Sequence, residues 1–127
     1  EGVKWLPEKP LDVFFVTLNK SDKDYSPTTM YNDYSINETL FHWQSQSTTS
    51  DTSATGMRYR SRDGKSGNVL LFVRESKSDE HGPMPFVFLG KAKYSSHTGS
   101  RPMSIIWELE NSIPAKFLKK TNKLTVG

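Results

Sequence analysis

The feature that most constrains the fold is a series of short apolar runs separated by turn-forming residues. Asp12–Leu18 and Val69–Arg74 are rich in β-branched and aromatic residues, which favours buried strands. Leu40–Gln44 and Phe86–Leu89 have the same character. In Met103–Leu109, apolar residues alternate with mainly polar ones, as is typical of a half-exposed strand. The chain is therefore predicted to be built mainly from strands.

The predicted connections add one hairpin and little helix. Met57–Arg60 and Val69–Arg74 flank a loop with Asp-Gly turn chemistry, which predicts a β-hairpin. Ile36–Leu40 is predicted to form one helical turn, and Pro114–Thr121 a short helix with Pro114 at its first position. Many short strands with one or two short helices predict a mostly β (α+β) fold that closes, or nearly closes, into a barrel.

The size and composition set limits on the class of protein. The 127 residues fit one domain, residues 1–127, and seven Phe, five Tyr and three Trp can organise its core. Without cysteine the chain has neither disulfides nor a thiolate zinc site, and its three histidines are far apart, so no metal site is expected. With no long apolar run and no signal-peptide pattern, we expect a soluble, cytoplasmic protein without a membrane partner.

Charge is unevenly distributed along the chain. No Lys or Arg occurs between Asp24 and Met57, whereas from Arg58 onward 13 Lys and Arg stand against 6 Asp and Glu. A basic half indicates a polyanionic partner such as nucleic acid, since cations near phosphates release condensed counterions. The alternative is an ordinary solvated basic surface.

No arrangement of residues predicts catalysis. Gly64-Lys65-Ser66 imitates the end of a phosphate-binding loop, but no glycine stands where that loop needs its first one. There is no Gly-x-Ser-x-Gly elbow, and the carboxylates are scattered over turns. We therefore expect neither an enzyme nor a cofactor.

One aromatic and polar segment, Phe41–Ser47, is a candidate ligand site. It joins aromatic faces to neutral hydrogen-bond donors and acceptors, which suit base edges and base stacking. Strand alternation makes Phe41 and Trp43 equally compatible with the core. The Ser/Thr-rich stretch that follows, residues 45–55, is predicted to be a surface loop. The candidate DNA contacts here are His42, Trp43, Gln44, Ser45, Gln46 and Ser47.

A second candidate segment is Ser26–Tyr34. Tyr31 and Tyr34 bracket Asp33, and aromatic rings beside a carboxylate could hold cytosine, whose exocyclic amine donates to an acid. The alternative is that this segment forms turns and covers the edge of the core. The candidate phosphate contacts are Thr28, Thr29, Arg58, Arg60, Lys93 and Arg101.

Several strings together resemble one family of bacterial domains. They are Val16–Lys20, Ser26–Thr29, Tyr31–Tyr34, Phe41–Ser47, Leu70–Glu75, Phe88–Gly90 and Arg101–Ser104. The family resembled is the C-terminal target-recognition domain of helicase-like, SauUSI-type modification-dependent restriction endonucleases. In that architecture a phospholipase-D-type nuclease and a superfamily-two ATPase motor precede the recognition domain.

The resemblance implies a domain excised from a larger nuclease–helicase protein that reads 5-methyl- or hydroxymethylcytosine in double-stranded DNA. It also implies an SRA/PUA-like β pseudobarrel that flips the modified base into an aromatic pocket. Tyr31, Tyr34 and Trp43 would line that pocket, with Asp33 or Gln44 at the Watson–Crick edge. The Tyr31–Tyr34 string lacks the glycine that follows the acid in the SRA signature.

Two other functions fit the same residues. A pseudobarrel could read unmodified bases in the major groove from arms at the barrel mouth, without an enclosed pocket. Alternatively, the domain could be an interaction module that regulates the helicase motor and never contacts bases. The first predicts binding that does not depend on modification, and the second predicts an exposed apolar patch.

Overall fold

The structure is a computed structural model that describes residues 2–19, 33–61 and 67–118 of the chain. The described elements are β1 (Val3–Leu6), β2 (Leu11–Thr17), β3 (Tyr34–Ser35), β4 (Leu40–Gln44), α1 (Ala54–Arg60), β5 (Val69–Arg74), β6 (Ser78–Asp79), β7 (Gly82–Pro83), β8 (Val87–Thr98) and β9 (Ser104–Leu109). Residues 115–118 are also helical. The predicted mostly β (α+β) class is confirmed.

Seven of the strands form one mixed sheet in the order β1-β2-β5-β8-β9-β4-β3. β2 and β5 pair in parallel, and the other neighbours in this sheet are antiparallel. The parallel pair requires a long crossover. That crossover contains β3, β4 and α1. β6 and β7 form a separate two-stranded ribbon.

The sheet is curled into a pseudobarrel. Three strands separate β2 from β4 in the sheet order, yet the rings of Phe14 and Trp43 are stacked with centroids 4.2 Å apart. Trp107 of β9 meets Phe14 edge-on at 5.4 Å. The inner faces of distant strands therefore share one core.

Strand alternation supplies this core. In β5 every second residue is buried, and β9 buries Ile105, Trp107 and Leu109 as the sequence predicts. Each large apolar side chain removed from water contributes about 1.5–3 kcal/mol. The largest fully buried apolar side chains are Trp107, Phe14, Phe41, Phe117, Leu71, Met103, Ile105, Val69 and Val73.

The predicted hairpin from Met57–Arg60 to Val69–Arg74 is wrong, because residues 54–60 form helix α1. The Ser53 hydroxyl caps this helix by accepting a hydrogen bond of 3.1 Å from the amide of Gly56. A Cβ at Gly56 would collide with the backbone oxygen of Ser50. The helix buries Gly56 and Tyr59, and β5 pairs with β2 and β8.

Other predicted boundaries also change. The helical turn expected at Ile36–Leu40 is absent, because the Asn37 carboxamide oxygen accepts hydrogen bonds from the Thr39 and Leu40 amides, both 2.9 Å, and turns the chain into β4. β8 extends to Thr98, well beyond the predicted Phe86–Leu89.

Two further elements complete this comparison. β1, which the sequence did not suggest, pairs with β2 at the edge of the sheet. Helix at residues 115–118 agrees with the predicted Pro114–Thr121 element, whose last residues lie outside the described part of the chain.

A buried ion pair fixes α1 against β2. The Arg58 guanidinium donates from Nε and Nη2 to the two carboxylate oxygens of Asp12, both at 2.9 Å. Asp12 is 0% exposed, and the guanidinium lies 4.3 Å from the Trp5 ring centroid. A bidentate pair with this burial orients the helix because both partners are held in one geometry.

Candidate functional site

The candidate site is a cavity of about 920 Å³ between the two ends of the curled sheet. Gly2 and Val3 approach it from β1, which is one edge strand, and Asp33 from just before β3, the other edge strand. The cavity therefore lies at the seam where the pseudobarrel does not close. Its lining is Gly2, Val3, Phe15, Val16, Thr17, Asn19, Asp33, Trp43, Gln44, Ser45, Gln46, Ser47, Arg74, Ser76, Lys77, Ser78 and Phe86.

Asp33 and Gln44 form the polar centre of the cavity wall. The Asp33 carboxylate accepts a hydrogen bond of 2.9 Å from the Gln44 amide through Oδ1. Asp33 is 8% exposed, so the carboxylate is nearly enclosed while still lining the cavity. This contact ties the entrance of β3 to the end of β4.

Backbone groups of Met103 and Gln46 hold Ser45 in place. Its hydroxyl accepts from the Met103 amide at 2.9 Å and donates to the Gln46 carbonyl at 3.1 Å. The Ser45 amide donates to the Met103 carbonyl at 2.9 Å. Gln46 and Ser47, which follow, are exposed at the rim of the cavity. The polar run after Trp43 thus divides into a fixed serine and two accessible side chains.

Trp43 borders the cavity from the core. It is 6% exposed, and its ring contacts Phe14, Tyr59 and Trp107 with centroid distances of 4.2, 5.4 and 6.4 Å. Burial raises the pKa of Tyr59 to about 12, the Asp12 charge adds to the rise and the Arg58 charge opposes it. The aromatic wall on this side is rigid because neighbouring rings fix it on several sides.

Arg74, Phe15 and Phe86 also line the cavity, and the sequence analysis did not select them as site residues. Arg74 donates from Nε to the Thr17 hydroxyl at 3.0 Å and from Nη1 to the Met84 carbonyl at 3.3 Å. Its guanidinium lies 4.2 Å from the Phe86 ring centroid. Phe15 meets Phe86 edge-on at 5.4 Å. The cavity lining therefore includes a cation and two phenylalanines in addition to Asp33.

Tyr34 and His42 are not among the residues that line the cavity. They occupy paired positions on β3 and β4, and their rings stack with centroids 4.6 Å apart. His42 alternates with the buried residues Phe41 and Trp43, so it lies on the outer face of β4. The structure separates these two aromatic residues from Trp43, with which the sequence analysis grouped them.

The four predicted phosphate contacts that the structure describes, Arg58, Arg60, Lys93 and Arg101, do not line the cavity. Arg58 is occupied by Asp12, and the exposed Arg60 donates from Nη1 to the Asp51 carbonyl at 2.9 Å. Lys93 is exposed on β8, in register with Glu108 of β9. Exposed Arg101 lies in a separate turn. Thr28, Thr29 and Tyr31 lie outside the described residues.

A separate polar cluster connects the loop before α1 to the end of β8. The Tyr94 hydroxyl and His97 Nδ1 are 2.7 Å apart, and His97 Nε2 is 3.4 Å from Asp51 Oδ2. The Asp51 amide donates to the Ser100 hydroxyl at 3.1 Å. The hydrogen bond with His97 is the main cause of a lowered pKa at Asp51. None of these four residues lines the cavity.

Within the described ranges, 2–19, 33–61 and 67–118, two kinds of feature are absent. No group of three or more His, Asp or Glu side chains in these ranges could hold a metal ion. Likewise, no helix within them is long and apolar enough to cross a membrane.

The comparisons with known proteins give a family for the chain. No curated protein and no solved structure matches it significantly. A family model described as "Domain of unknown function (DUF3427)" matches residues 2–120. This match covers nearly the whole chain, including every lining residue of the cavity. The chain therefore belongs to the DUF3427 family.

Proposed function

We propose that this domain binds double-stranded DNA and reads modified cytosine by holding a flipped base in the seam cavity. The observation that carries the proposal is the cavity itself, whose lining combines a nearly enclosed carboxylate with aromatic side chains. Pockets for small ligands combine apolar walls with a few placed polar groups. A flipped base is a ligand of this kind, since it needs stacking surfaces and hydrogen-bond partners at its edge.

Asp33 and Gln44 are the proposed readers of the base edge. Cytosine donates from its exocyclic amine, and Asp and Glu are the usual acceptors of that group. Asp33 lines the cavity and already accepts from the Gln44 amide at 2.9 Å, which fixes the direction of the carboxylate. The Gln44 carboxamide can both donate and accept, so it is suited to the rest of the base edge.

Trp43, Phe15 and Phe86 are the proposed aromatic surroundings of the base. All three line the cavity, and a methyl or hydroxymethyl group would contact their rings. Arg74 lies over Phe86 and supplies positive charge at the opening, where the phosphates next to a flipped nucleotide would pass. Gln46 and Ser47 are exposed at the rim and can donate to those phosphates.

The free energies of base flipping and of methyl burial limit how strongly such a pocket can distinguish methylated from unmethylated cytosine. Flipping a base costs a few kcal/mol, and one methyl group in an apolar pocket provides only about 1–3 kcal/mol of discrimination. Contacts that flank the base must therefore supply most of the affinity. We expect a modest preference for methylated DNA on top of a larger, salt-dependent binding free energy.

The proposal also covers the larger protein to which this domain would belong. On the resemblance described above, it would be the recognition module of a bacterial cytoplasmic restriction enzyme, with nuclease and helicase domains on the same polypeptide. The domain itself would carry no chemistry. Its SRA/PUA-like relationship is part of the same proposal, supported by the curled seven-stranded sheet and by a cavity at the seam.

The test is fluorescence anisotropy with one duplex in three forms: unmodified, hemimethylated and fully methylated at cytosine. Each is titrated at low and at high salt. We expect tighter binding to the methylated forms and weaker binding to all three at high salt. Equal, salt-dependent binding to the three would favour a reader of unmodified DNA. Absence of binding at both salt concentrations would favour the regulatory interaction module.

Two variants and one control connect this measurement to the cavity. Asp33→Asn keeps an oxygen that can accept from the Gln44 amide but removes the charge, and Gln44→Ala removes the carboxamide. Each is expected to weaken binding of the methylated duplex by about 5- to 100-fold, the range of one hydrogen bond to a charged or base-edge group. Glu38→Gln removes a charge from an exposed residue outside the cavity and should bind the methylated duplex like the wild type.

A further inference from the structure

Three phenylalanines form a row across the outer face of the sheet. Phe15 of β2, Phe72 of β5 and Phe88 of β8 occupy consecutive register positions. The Phe15 and Phe72 rings stack at 5.4 Å, and the Phe72 and Phe88 rings lie 4.9 Å apart. We call these three residues the outer row.

The outer row is turned away from the core. Phe14 and Val16, the neighbours of Phe15, are 0% and 2% exposed, whereas Phe15 is 40% exposed and Phe88 is 54% exposed. Successive side chains on a strand point to opposite faces, so the row covers the outside of the sheet. Adjacent exposed aromatic residues of this kind are uncommon on a soluble surface and indicate a binding site.

The strands that carry the row also carry a one-sided charge. β1, β2, β5 and β8 contain four Lys and Arg, namely Lys4, Arg74, Lys91 and Lys93. Their single acidic residue is Asp12, which is 0% exposed and paired with Arg58. The surface around the outer row is therefore cationic without exposed acids on its own strands.

Two of the lysines have defined positions relative to the row. Lys4 is in register with Val13, Val13 with Leu70, and Leu70 with Lys91. These four residues form the next row on the sheet. Two residues along a strand correspond to roughly 7 Å, so this row adjoins the phenylalanines on one side and carries an exposed lysine at each of its two ends.

The outer row is continuous with the seam cavity. Phe15 belongs to the row and also lines the cavity, and Phe86, which also lines it, meets Phe15 at 5.4 Å. Arg74 lies over Phe86. A ligand that enters the cavity can therefore extend onto the row without leaving aromatic and cationic surface.

From these observations we infer that the outer row is a stacking platform for unpaired bases of single-stranded DNA next to the seam cavity. This inference goes beyond the proposed function, because a base flipped from a duplex leaves its neighbours paired, whereas the platform binds strands whose bases are already unpaired. Aromatic side chains stack on any base, and neighbouring cations hold the backbone. Recognition here would be independent of sequence and of modification.

The charges favour nucleic acid over a protein occupant. A second copy of this chain would bring the exposed lysines Lys4 and Lys91 of each copy toward cations of the other. A DNA strand supplies one negative charge per nucleotide at the spacing of its bases, which suits a row of rings beside two lysines.

The experiment is anisotropy of a fluorescent, unmodified oligothymidine with the wild-type chain and with Phe88→Ala. Phe88 lies outside the cavity lining. Stacking contributes enough that its loss should weaken binding by about 5- to 150-fold. Met57→Ala is the control, because Met57 is 57% exposed on α1 and is as accessible as Phe88. The control should bind oligothymidine like the wild type.

Failure of this inference is distinguishable from failure of the proposed function. If Phe88→Ala binds oligothymidine like the wild type, the platform is wrong, whatever the methylated duplex shows. If the platform is right but the cavity proposal is wrong, Phe88→Ala still loses oligothymidine affinity while the three duplexes bind equally. Sedimentation of the wild type and of Phe88→Ala gives a further check, because it reports the oligomeric state of each. A dimer that Phe88→Ala dissociates without loss of DNA affinity would assign the row to an interface between copies and overturn the inference.

Discussion

Phe14 and Phe15 are neighbours in the sequence and belong to two different surfaces of the molecule. Phe14 is 0% exposed and packs against Trp43, Tyr59 and Trp107. Phe15 is 40% exposed and joins the outer row. The same residue type on one strand thus contributes mainly to stability in one position and is available for binding in the next. The curl of the sheet makes this difference, because it encloses one face and leaves the other open.

The largest expected effect is on folding and separates the two positions directly. Phe14→Ala should lower the free energy of unfolding by about 3–5 kcal/mol, since it removes a buried ring and leaves a cavity. Phe15→Ala should lower it by about 1 kcal/mol, the scale of an exposed aromatic contact. Urea unfolding followed by tryptophan fluorescence measures both. Phe14→Leu keeps most of the volume and provides a folded variant if the alanine variant does not fold.

Equal destabilisation by the two alanine variants would contradict the distinction between inner and outer faces. It would mean that the outer row packs as a second core. The same pair can then be tested with oligothymidine. There the order should reverse, with folded Phe14→Leu binding like the wild type and Phe15→Ala binding more weakly.

The next effect concerns the ion pair between Arg58 and Asp12, which fixes α1 against β2. Arg58→Ala should lower the free energy of unfolding by about 3–5 kcal/mol, because it leaves the Asp12 carboxylate, which is 0% exposed, without its partner. Arg60→Ala is the matched control on the same helix, since Arg60 is exposed. It should change stability by about 0.5 kcal/mol or less.

A double variant sharpens this result. If Asp12→Ala together with Arg58→Ala recovers part of the loss, the two side chains are coupled as a pair. Strict additivity of the two single losses would show that the pair contributes only through packing. In that event the contact of Arg58 with Trp5, 4.3 Å from ring centroid to guanidinium, would be the stabilising element.

The sequence predicted the strands more accurately than their partners. Alternation in Met103–Leu109 and the apolar run at Val69–Arg74 identified β9 and β5, because burial of one or both faces leaves a local pattern. Pairing is not local. The partner of β5 on one side is β2, across a crossover of more than fifty residues, and no short-range pattern specifies that register.

Helix α1 was missed for a related reason. In Met57–Arg60 a buried tyrosine alternates with polar residues, as in a strand, and the Asp-Gly loop behind it favours a hairpin. The helix depends on the Ser53 cap and on the close approach of Gly56 to Ser50. These features lie one to seven residues before the segment that suggested a strand.

The candidate site was found in part. The polar residues Asp33, Gln44 and Gln46 could be selected because their chemistry suits a base edge, and all three line the cavity. Arg74 and Phe86 could not, because their place depends on how the sheet curls. Phe15 was hidden within a run that resembled a fully buried strand, although its exposure follows from alternation with Phe14.

Tyr59 gives a smaller effect, restricted to high pH. Burial raises its pKa from an ordinary 10.0 to about 12, so the folded state favours the neutral phenol. Stability from this group is complete below about pH 10 and is lost as the pH rises toward about 12. The loss should reach about 2–3 kcal/mol. Tyr59→Phe cannot ionise and should show a shallower decline in urea unfolding over this range.

The comparison of the wild type with Tyr59→Phe also tests whether the Tyr59 phenol is buried in the core. A wild type and a Tyr59→Phe variant that decline in parallel between about pH 9 and about pH 12 would mean that the phenol reaches water. Tyr34→Phe is the matched control, because Tyr34 stacks with His42 away from the inner core. It should follow the wild type throughout.

The smallest effect comes from Asp51, which is half-buried, whereas Asp12 is fully buried. The hydrogen bond with His97 holds the pKa of Asp51 below its ordinary 3.8, so the folded state favours the carboxylate. Its contribution is present above about pH 3.8 and is lost as the pH falls through the lowered value. Asp51→Asn should therefore reduce Tm slightly at about pH 6 and leave it unchanged well below pH 3.8. Glu38→Gln, which alters an exposed carboxylate, is the control.

A decrease in Tm for Asp51→Asn that persists unchanged in acid would contradict the charge-based origin. Loop packing against Ser100 would then be the cause, because the carboxylate interaction with His97 is the part that titrates.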